Sequence, residues 1–491
     1  MNIKLLENLK FLFFGNKTVK QTIFKNTFWL AASEAISRFF TLLLIIYVAR
    51  VLGAAEYGKF TFAIAFVSLF GVFSDLGLSP IVTREFSREK EEEELFPAIF
   101  ILKIVLLLGA IILTFIGSFF ITSNPLIWKV IWILAVHNSI NRFFEIVYAF
   151  LRARQRMEFE ALMKIVQAAL ITGFGFFVIL NFPSVLNLSL GYLLSSLVIL
   201  VIVLLFFHFK VYRLRFSWDK IIWKKYLGMS WPLALAGFLG TIYNQTDSVM
   251  MGYLGQIAET GWYNAAYKVV RAALIPAVFI SQSFYPALSV AFKRSGKELQ
   301  KIWNYYAETL ILIAVPMVVG GITLASRIIN FIYNPSYAPS VLAFQILIIM
   351  AGIIFFHYPF NQILIVSNYQ EKTFWVVFWG AIINVILNLI LIPKFSFYGA
   401  AVATVITNIL ILFLLLRFVL KFTKINPFNL NLFFAVIGAV LSSVLMYLTI
   451  SRPVIYYLHP LFSITLGAAV YLTFILIYKK LIKVFFSNKD V

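Results

Sequence analysis

The residues of this chain best able to do chemistry are ionisable side chains set inside long apolar stretches. They are Glu34, Arg38, Asp75, Lys103, Arg142, Glu145, Lys164, Asp247, Lys268, Arg271 and Glu308. Each costs about 2.5 to 3.5 kcal/mol to place near the middle of a membrane-spanning helix unless it is paired or hydrated. Glu34 and Arg38 lie four apart, so they share a helix face and can pair. Arg142 and Glu145 share a face at three apart. Lys268 and Arg271 do so with no carboxylate within a turn of them. A guanidinium binds phosphate oxygens bidentately and an ammonium binds them as a point charge. Arg38, Arg142, Lys268 and Arg271 are therefore expected to line a hydrated cavity and hold an anion. The competing expectation is neutralisation across a helix interface, or snorkelling to the membrane boundary. Lys103 and Lys164, close to the ends of their stretches, are expected to snorkel. Glu34, Asp75 and Asp247 are the candidate cavity carboxylates, each able to carry a coupling proton.

A second constellation is made of oxygen donors. Asn244, Gln245 and Asp247 interrupt one apolar stretch, Asn384 and Asn388 sit one turn apart in another, and Thr404 and Thr407 fall in a third. Oxygen ligands converging from three helices suit a hard cation, and the same residues also suit ordinary hydrogen bonds between helices. Trp262, Tyr263, Tyr267 and Tyr285 could stack on sugar rings, but with 23 Tyr, 53 Phe and 10 Trp most aromatics must face lipid or the interface. The chain has no Cys, which removes thiolate chemistry, and four His without metal-ligand spacing. No cofactor is expected beyond a coupling ion, sodium or proton.

The elements that position these residues follow from composition. Of 491 residues, 62% are hydrophobic and 12% charged, and mean hydropathy is +0.93. The chain therefore reads as an all-α polytopic membrane protein with about fourteen spanning helices, each needing about 20 apolar residues. Net charge is +21. On a soluble chain that excess would suggest a nucleic acid; here its placement matters first. Alternate loops collect most of the 41 Lys and Arg, while the opposite loops hold only Arg50, Lys59, Lys129, Arg327, Lys394 and Arg452. That alternation predicts both termini on the cytoplasmic side of the plasma or inner membrane. The six left within spans are Arg38, Lys103, Arg142, Lys164, Lys268 and Arg271, so no nucleic-acid partner is expected. The run Glu91–Glu94 reads as a solvated loop.

A basic loop divides the first twelve spans equally. The expected organisation is an interfacial segment at 1–25, an N-lobe at 26–208, a linker at 209–226, a C-lobe at 227–416, and helices 13–14 with a tail at 417–491. Six spans per half place both halves in the same sense, as parallel repeats. The turn Leu52-Gly53 through Tyr57-Gly58 resembles Leu254-Gly255 through Thr260-Gly261.

Four stretches carry a family resemblance: NTFWLAASEAISRFFTLLLIIYVARVLGAAEYGKFTFA at 26–63, FSDLGLSPIVTRE at 73–85, TDSVMMGYLG at 246–255 and LIPKFSFYGAAVATVIT at 391–407. Together they resemble the O-antigen-type polysaccharide flippases of the multidrug/oligosaccharidyl-lipid/polysaccharide exporter superfamily. The resemblance implies two six-helix lobes, two further C-terminal helices, and alternating access for a lipid-linked oligosaccharide, with membrane lipids around it and glycosyltransferase or polymerase partners. It implies no enzymatic step. The oxygen-donor pattern is similar to the sodium site of the related lipid II flippases. Carried over by position, that site would use Asp247, Asn384, Asn388, Ala400 through its carbonyl, and Thr404, with Asn388 standing where the family pattern is acidic. The alternatives are a lipid II flippase and a multidrug/cation antiporter; the Lys268 and Arg271 pair argues against the antiporter.

Overall fold

The computed structural model describes residues 18–456 and 458–487, and every regular element among them is helical. Two compact units divide the chain, Met1–Ala258 and Glu259–Val491.

The first unit holds α1 (Val19–Gly71), α2 (Leu78–Arg88), α3 (Phe96–Ile121), α4 (Pro125–Ala153), α5 (Met157–Asn181), α6 (Val185–Phe206) and α7 (Lys220–Tyr253). Polar residues fix several starts: the side chains of Asn124, Ser184 and Asp219 accept from the first free backbone N–H groups of α4, α6 and α7. α1 has 53 residues and would reach roughly 80 Å if straight, well over twice a hydrocarbon core. It reverses at Gly53, whose φ of 74° and ψ of 174° suit glycine alone. The neighbours show the reversal. Its first arm runs alongside α5 in the same direction: Lys25 meets Glu158 at 2.8 Å and Tyr47 meets Phe176 at 5.1 Å between ring centroids. The continuing chain runs with α4 instead, Gly71 lying against Asn138 and Thr83 against the carbonyl of Ala149. Since α4 and α5 are antiparallel, joined by Arg152 to Glu160 and Asn141 to Gln167, the two arms are antiparallel as well. Gly255, in the second copy of the turn motif, also takes a left-handed φ of 75°.

The chain breaks again between α1 and α2. Leu76 and Gly77 have φ of 45° and 74°, and a Cβ on Gly77 would stand 2.7 Å from the carbonyl oxygen of Ser230 in α7. Gly77→Ala therefore adds both backbone strain and a clash with main chain, together about 3 kcal/mol or more. It is expected to lower the melting temperature and monodisperse yield in detergent, whereas Gly109→Ala, whose Cβ meets nothing within 4 Å, should match the parent chain.

α7 packs on α1, α2 and α3, so the compact unit ends one helix beyond the expected lobe boundary at 227. The Glu91–Glu94 run supplies the reason: Glu91 and Glu94 are exposed, but Glu92 and Glu93 are paired and not simply solvated. Glu92 accepts from Lys225 at 2.6 Å and from the Tyr226 hydroxyl at 2.7 Å, Glu93 accepts from Arg154, and the Trp223 indole donates to the carbonyl of Ala98. These contacts fasten the end of the linker and the start of α7 to the first unit. At the other terminus, α1 begins at Val19, inside the expected interfacial segment, and Lys25 is fully buried; residues 1–17 lie outside the described residues.

The second unit holds most of α8 (Ile257–Ala273), then α9 (Ile275–Arg294), α10 (Gly296–Thr323), the short α11 (Ala325–Ile332), α12 (Ser340–Val366), α13 (Gln370–Phe422), α14 (Leu430–Ile450), the single turn α15 (Pro453–Tyr456) and α16 (Pro460–Ser487). A break at Leu274, followed by Pro276, divides one span into α8 and α9. α13 also has 53 residues and reverses at Ser396, φ 52°. Gly399 makes the reversal close: a Cβ there would lie 2.3 Å from the Leu391 carbonyl oxygen, a separation of roughly 12 Å in an unbroken helix. α14 and α16 pack on α10 and on each other through Tyr471 to the Leu312 carbonyl, Lys479 to Glu308 at 2.6 Å, and Tyr478 to the Phe434 carbonyl.

Among the described residues, eleven helical stretches are long and apolar enough to cross a membrane. Two of them reverse and so supply two passes each, and α7, whose Pro232, Asn244, Gln245 and Asp247 make it less apolar, completes the expected fourteen. The chain is a multi-pass integral membrane protein.

Candidate substrate and ion sites

In the first unit, Arg38 and Glu34 pair as their spacing predicts, Nε to Oε1 at 2.7 Å, both exposed on the first arm of α1. Asp75 sits in the break before α2. Its carboxylate accepts from the Lys103 ammonium at 2.5 Å, from the Ser79 hydroxyl at 2.5 Å and from the Ser79 backbone N–H at 3.4 Å. Lys103 is wholly buried, so it does not snorkel: the break in the chain brings a carboxylate to its side, and the pair neutralises itself inside the bundle. Lys164 is likewise paired, with Glu160 at 2.8 Å. Glu160, fully buried, also accepts from Nε and Nη2 of the Arg152 guanidinium. Glu145 lies 3.6 Å from Arg152 and not against Arg142, correcting the pairing that the three-residue spacing suggested. Arg142, half-buried on α4 beside Gly71, has no carboxylate within ion-pair distance among the described residues. Asp247 is buried on α7, 6% exposed.

Sequence reasoning missed one polar network in this unit. The Ser196 hydroxyl and His137 Nδ1 meet at 2.7 Å, Asn141 meets His137 Nε2 at 2.9 Å, and Gln167 donates to Asn141 at 2.7 Å. The four-residue spacing of His137 and Asn141, one position before Arg142, was the available signal. It is a hydrogen-bonded set; no cluster of three metal-ligating side chains occurs among the described residues.

In the second unit, α8 carries a ladder one turn per rung. Tyr263 and Tyr267 stack with centroids 5.7 Å apart and planes 13° from parallel, and the Arg271 guanidinium lies 5.6 Å from the Tyr267 ring. Tyr263 is buried, Lys268 is half-buried beside the ladder, and Arg271 is exposed. Neither cation has a carboxylate within ion-pair distance among the described residues. The guanidinium lies over the Tyr267 ring within cation–π range. Trp262 is held elsewhere, its indole donating to the Ser336 carbonyl, and Tyr285 is exposed on α9.

The reversal at Ser396 brings the oxygen donors of α13 together. Asn388 donates to Asn384 Oδ1 at 3.0 Å, Asn384 donates to Thr407 Oγ1 at 3.4 Å, and the Thr404 hydroxyl donates to the Ala400 carbonyl at 2.9 Å. All five residues are buried. Asn408, which donates to the Thr404 carbonyl, joins the patch, and its own carbonyl meets His357 Nε2 at 2.9 Å; these two were not singled out from sequence. The donor set is neutral and built on oxygen, which fits a hard monovalent cation better than a divalent one.

The profile of the polysaccharide biosynthesis protein family matches residues 23–292. The chain belongs to the polysaccharide biosynthesis protein family. Within reach of this family, the chain is 24% identical over 380 residues to the probable flippase AglR of Haloferax volcanii, covering 74% of this chain and 76% of that one. It is 21% identical over 396 residues to the capsular polysaccharide biosynthesis protein CapF of Staphylococcus aureus, covering 78% and 96%. Among solved structures, the lipid II flippase MurJ in an inward closed conformation matches at a TM-score of 0.77 and 16% identity, over 92% of this chain and 99% of that one. An inward-facing multidrug resistance MATE transporter matches at 0.63 and 16%, over 79% and 94%. This member of the polysaccharide biosynthesis family therefore has the fold shared by MurJ and MATE transporters.

Proposed function

We propose that the chain is a flippase that moves a polyprenyl-diphosphate-linked oligosaccharide across the cytoplasmic membrane by alternating access, for cell-surface polysaccharide assembly. The observation that carries the reading is the α8 ladder: Lys268 and Arg271 are cations on a spanning helix that no described carboxylate neutralises, with Arg271 set on an aromatic face. Such a pair is costly in lipid and is offset by an anion. Within the first unit, taken by itself, Arg38 and Arg142 are the proposed anion-binding side chains. Membership of the polysaccharide biosynthesis protein family and similarity to the probable flippase AglR support a flippase of this kind. Glycosyltransferases or a polymerase would supply and consume it, and loop charge supports cytoplasmic termini. No bond is made or broken, so the residues bind, orient and shield charge.

Binding tests this directly. Native mass spectrometry of the purified chain is expected to retain a polyprenyl-diphosphate oligosaccharide at least tenfold more tightly than the corresponding polyprenyl-linked neutral saccharide. Equal retention of the two contradicts the reading. A panel that includes lipid II separates the oligosaccharide assignment from the lipid II alternative.

For coupling, the oxygen patch on α13 is the proposed sodium site, formed by Asn384, Asn388, Ala400 and Thr404. A sodium gradient is expected to raise the transport rate severalfold, and Thr404→Val, which keeps shape and removes the hydroxyl, to abolish that response. A rate indifferent to sodium but raised by a proton gradient points instead to a carboxylate such as Asp247 or Glu34.

A further inference from the structure

A second cationic site lies away from the α8 ladder, in a groove of about 350 Å³ between the two arms of α13. One arm contributes Lys372, Trp375 and Trp379; the other contributes Arg417, Lys421 and Phe422. Spacings of three and four put Lys372, Trp375 and Trp379 on one helix face, and a spacing of four does the same for Arg417 and Lys421. Lys372 and Lys421 each lie 5.4 Å from the centroid of the same Phe422 ring. Among the described residues the one carboxylate within ion-pair distance of these cations is Glu371, 3.6 Å from Lys372 and itself 74% exposed. Arg417 and Lys421 have none within ion-pair distance among the described residues. Topology requires cations at this end of the bundle but does not require them to converge on one groove. Trp375 and Trp379 are 42% and 50% exposed on the same groove, and Trp379 lies roughly 10 Å along the axis from Lys372. Cations at the helix ends with tryptophans a turn or two deeper match the layering of a phosphate above a glycerol and acyl boundary.

We propose that this groove binds the headgroup of an anionic phospholipid from the surrounding leaflet, its phosphate held by Lys372, Arg417 and Lys421 and its glycerol region lying against Trp375 and Trp379. Free phosphate would use only the cations and leave the indoles without a role. The apolar continuation into exposed, lipid-facing helix surface favours a resident lipid.

The test is native mass spectrometry of the detergent-purified full chain titrated with phosphatidylglycerol or phosphatidylcholine. The tightest site is expected to prefer phosphatidylglycerol. Each basic residue at a membrane surface contributes about fivefold, so Lys372→Gln/Arg417→Gln/Lys421→Gln should weaken that site on the order of a hundredfold. Lys372→Arg/Lys421→Arg should retain it, as should the loop control Lys210→Gln/Arg213→Gln/Arg215→Gln, which removes equal charge elsewhere. The proposal is overturned if the triple α13 variant keeps the preference, or if the loop control loses it equally. Displacement by millimolar inorganic phosphate, or by polyprenyl diphosphate at concentrations below those of phosphatidylglycerol, would also overturn it. None of these readouts involves transport, so they stand apart from the flippase assignment.

Discussion

Lys268→Gln/Arg271→Gln is expected to lower transport of the lipid-linked saccharide by more than a hundredfold while leaving the chain as stable as before, or more so. A hydrogen bond to a charged group contributes about 1.5 to 3 kcal/mol, so two lost phosphate contacts lower affinity and rate by two orders of magnitude or more. Removing them should not unfold the chain. No described carboxylate depends on either cation, and two like charges one turn apart on α8 repel each other, so their neutral replacements relieve a cost. Transport and the detergent melting temperature should therefore move independently. If the variant melts well below the parent chain, the pair is structural and the ladder is not a substrate site. Tyr267→Leu gives a graded version: with no ring to set its direction, Arg271 should bind more weakly, and a severalfold rise in the half-saturating substrate concentration is expected.

The second large effect falls on stability. Lys103→Met leaves the Asp75 carboxylate facing an apolar side chain where it had an ammonium at 2.5 Å. Breaking a buried pair by removing one partner costs about 3 to 5 kcal/mol, and Asp75 is 17% exposed by side chain, so little water can compensate. Lys103→Met should lose most of its folded yield. Asp75→Asn/Lys103→Met removes both charges, and the amide can keep one Ser79 contact. It is expected to return to within about 1 kcal/mol of the parent chain. The measurement is a double-mutant cycle on thermal stability in detergent. A double variant as unstable as the single one would show that packing around Lys103, and not the ion pair, holds the break between α1 and α2.

What the sequence made legible was whatever repeats along one helix or depends on the bilayer. Apolar runs gave the spans, and four-residue spacing gave the Glu34 and Arg38 pair. The two Gly turns signalled a repeat, and Gly53 and Gly255 share a left-handed backbone. The oxygen cluster was legible because a span of Asn384 and Asn388 is followed by one of Thr404 and Thr407, and the reversal at Ser396 folds the two together. What escaped depends on contacts between distant segments. Lys103 looks close to a span end when counted along α3; only the break at Asp75 reveals its partner. Glu91–Glu94 looks solvated until Lys225, Tyr226 and Arg154 arrive from elsewhere in the chain. The Arg142 and Glu145 spacing allows a pair, but Arg152 lies nearer to Glu145. Helical periodicity reports which residues share a face and cannot report which face of which neighbour they meet.

The central claim is that this chain carries a lipid diphosphate saccharide between leaflets by means of cations set within its spans. Its most direct test is reconstitution of the purified chain into vesicles loaded on one leaflet with a polyprenyl-diphosphate oligosaccharide, followed by enzymatic or lectin capture of the saccharide that reaches the other leaflet. The account predicts rapid transfer with the parent chain and transfer no faster than in protein-free vesicles with Lys268→Gln/Arg271→Gln. Equal transfer by the two chains would contradict the cationic site, and no transfer by the parent chain would contradict the flippase assignment itself.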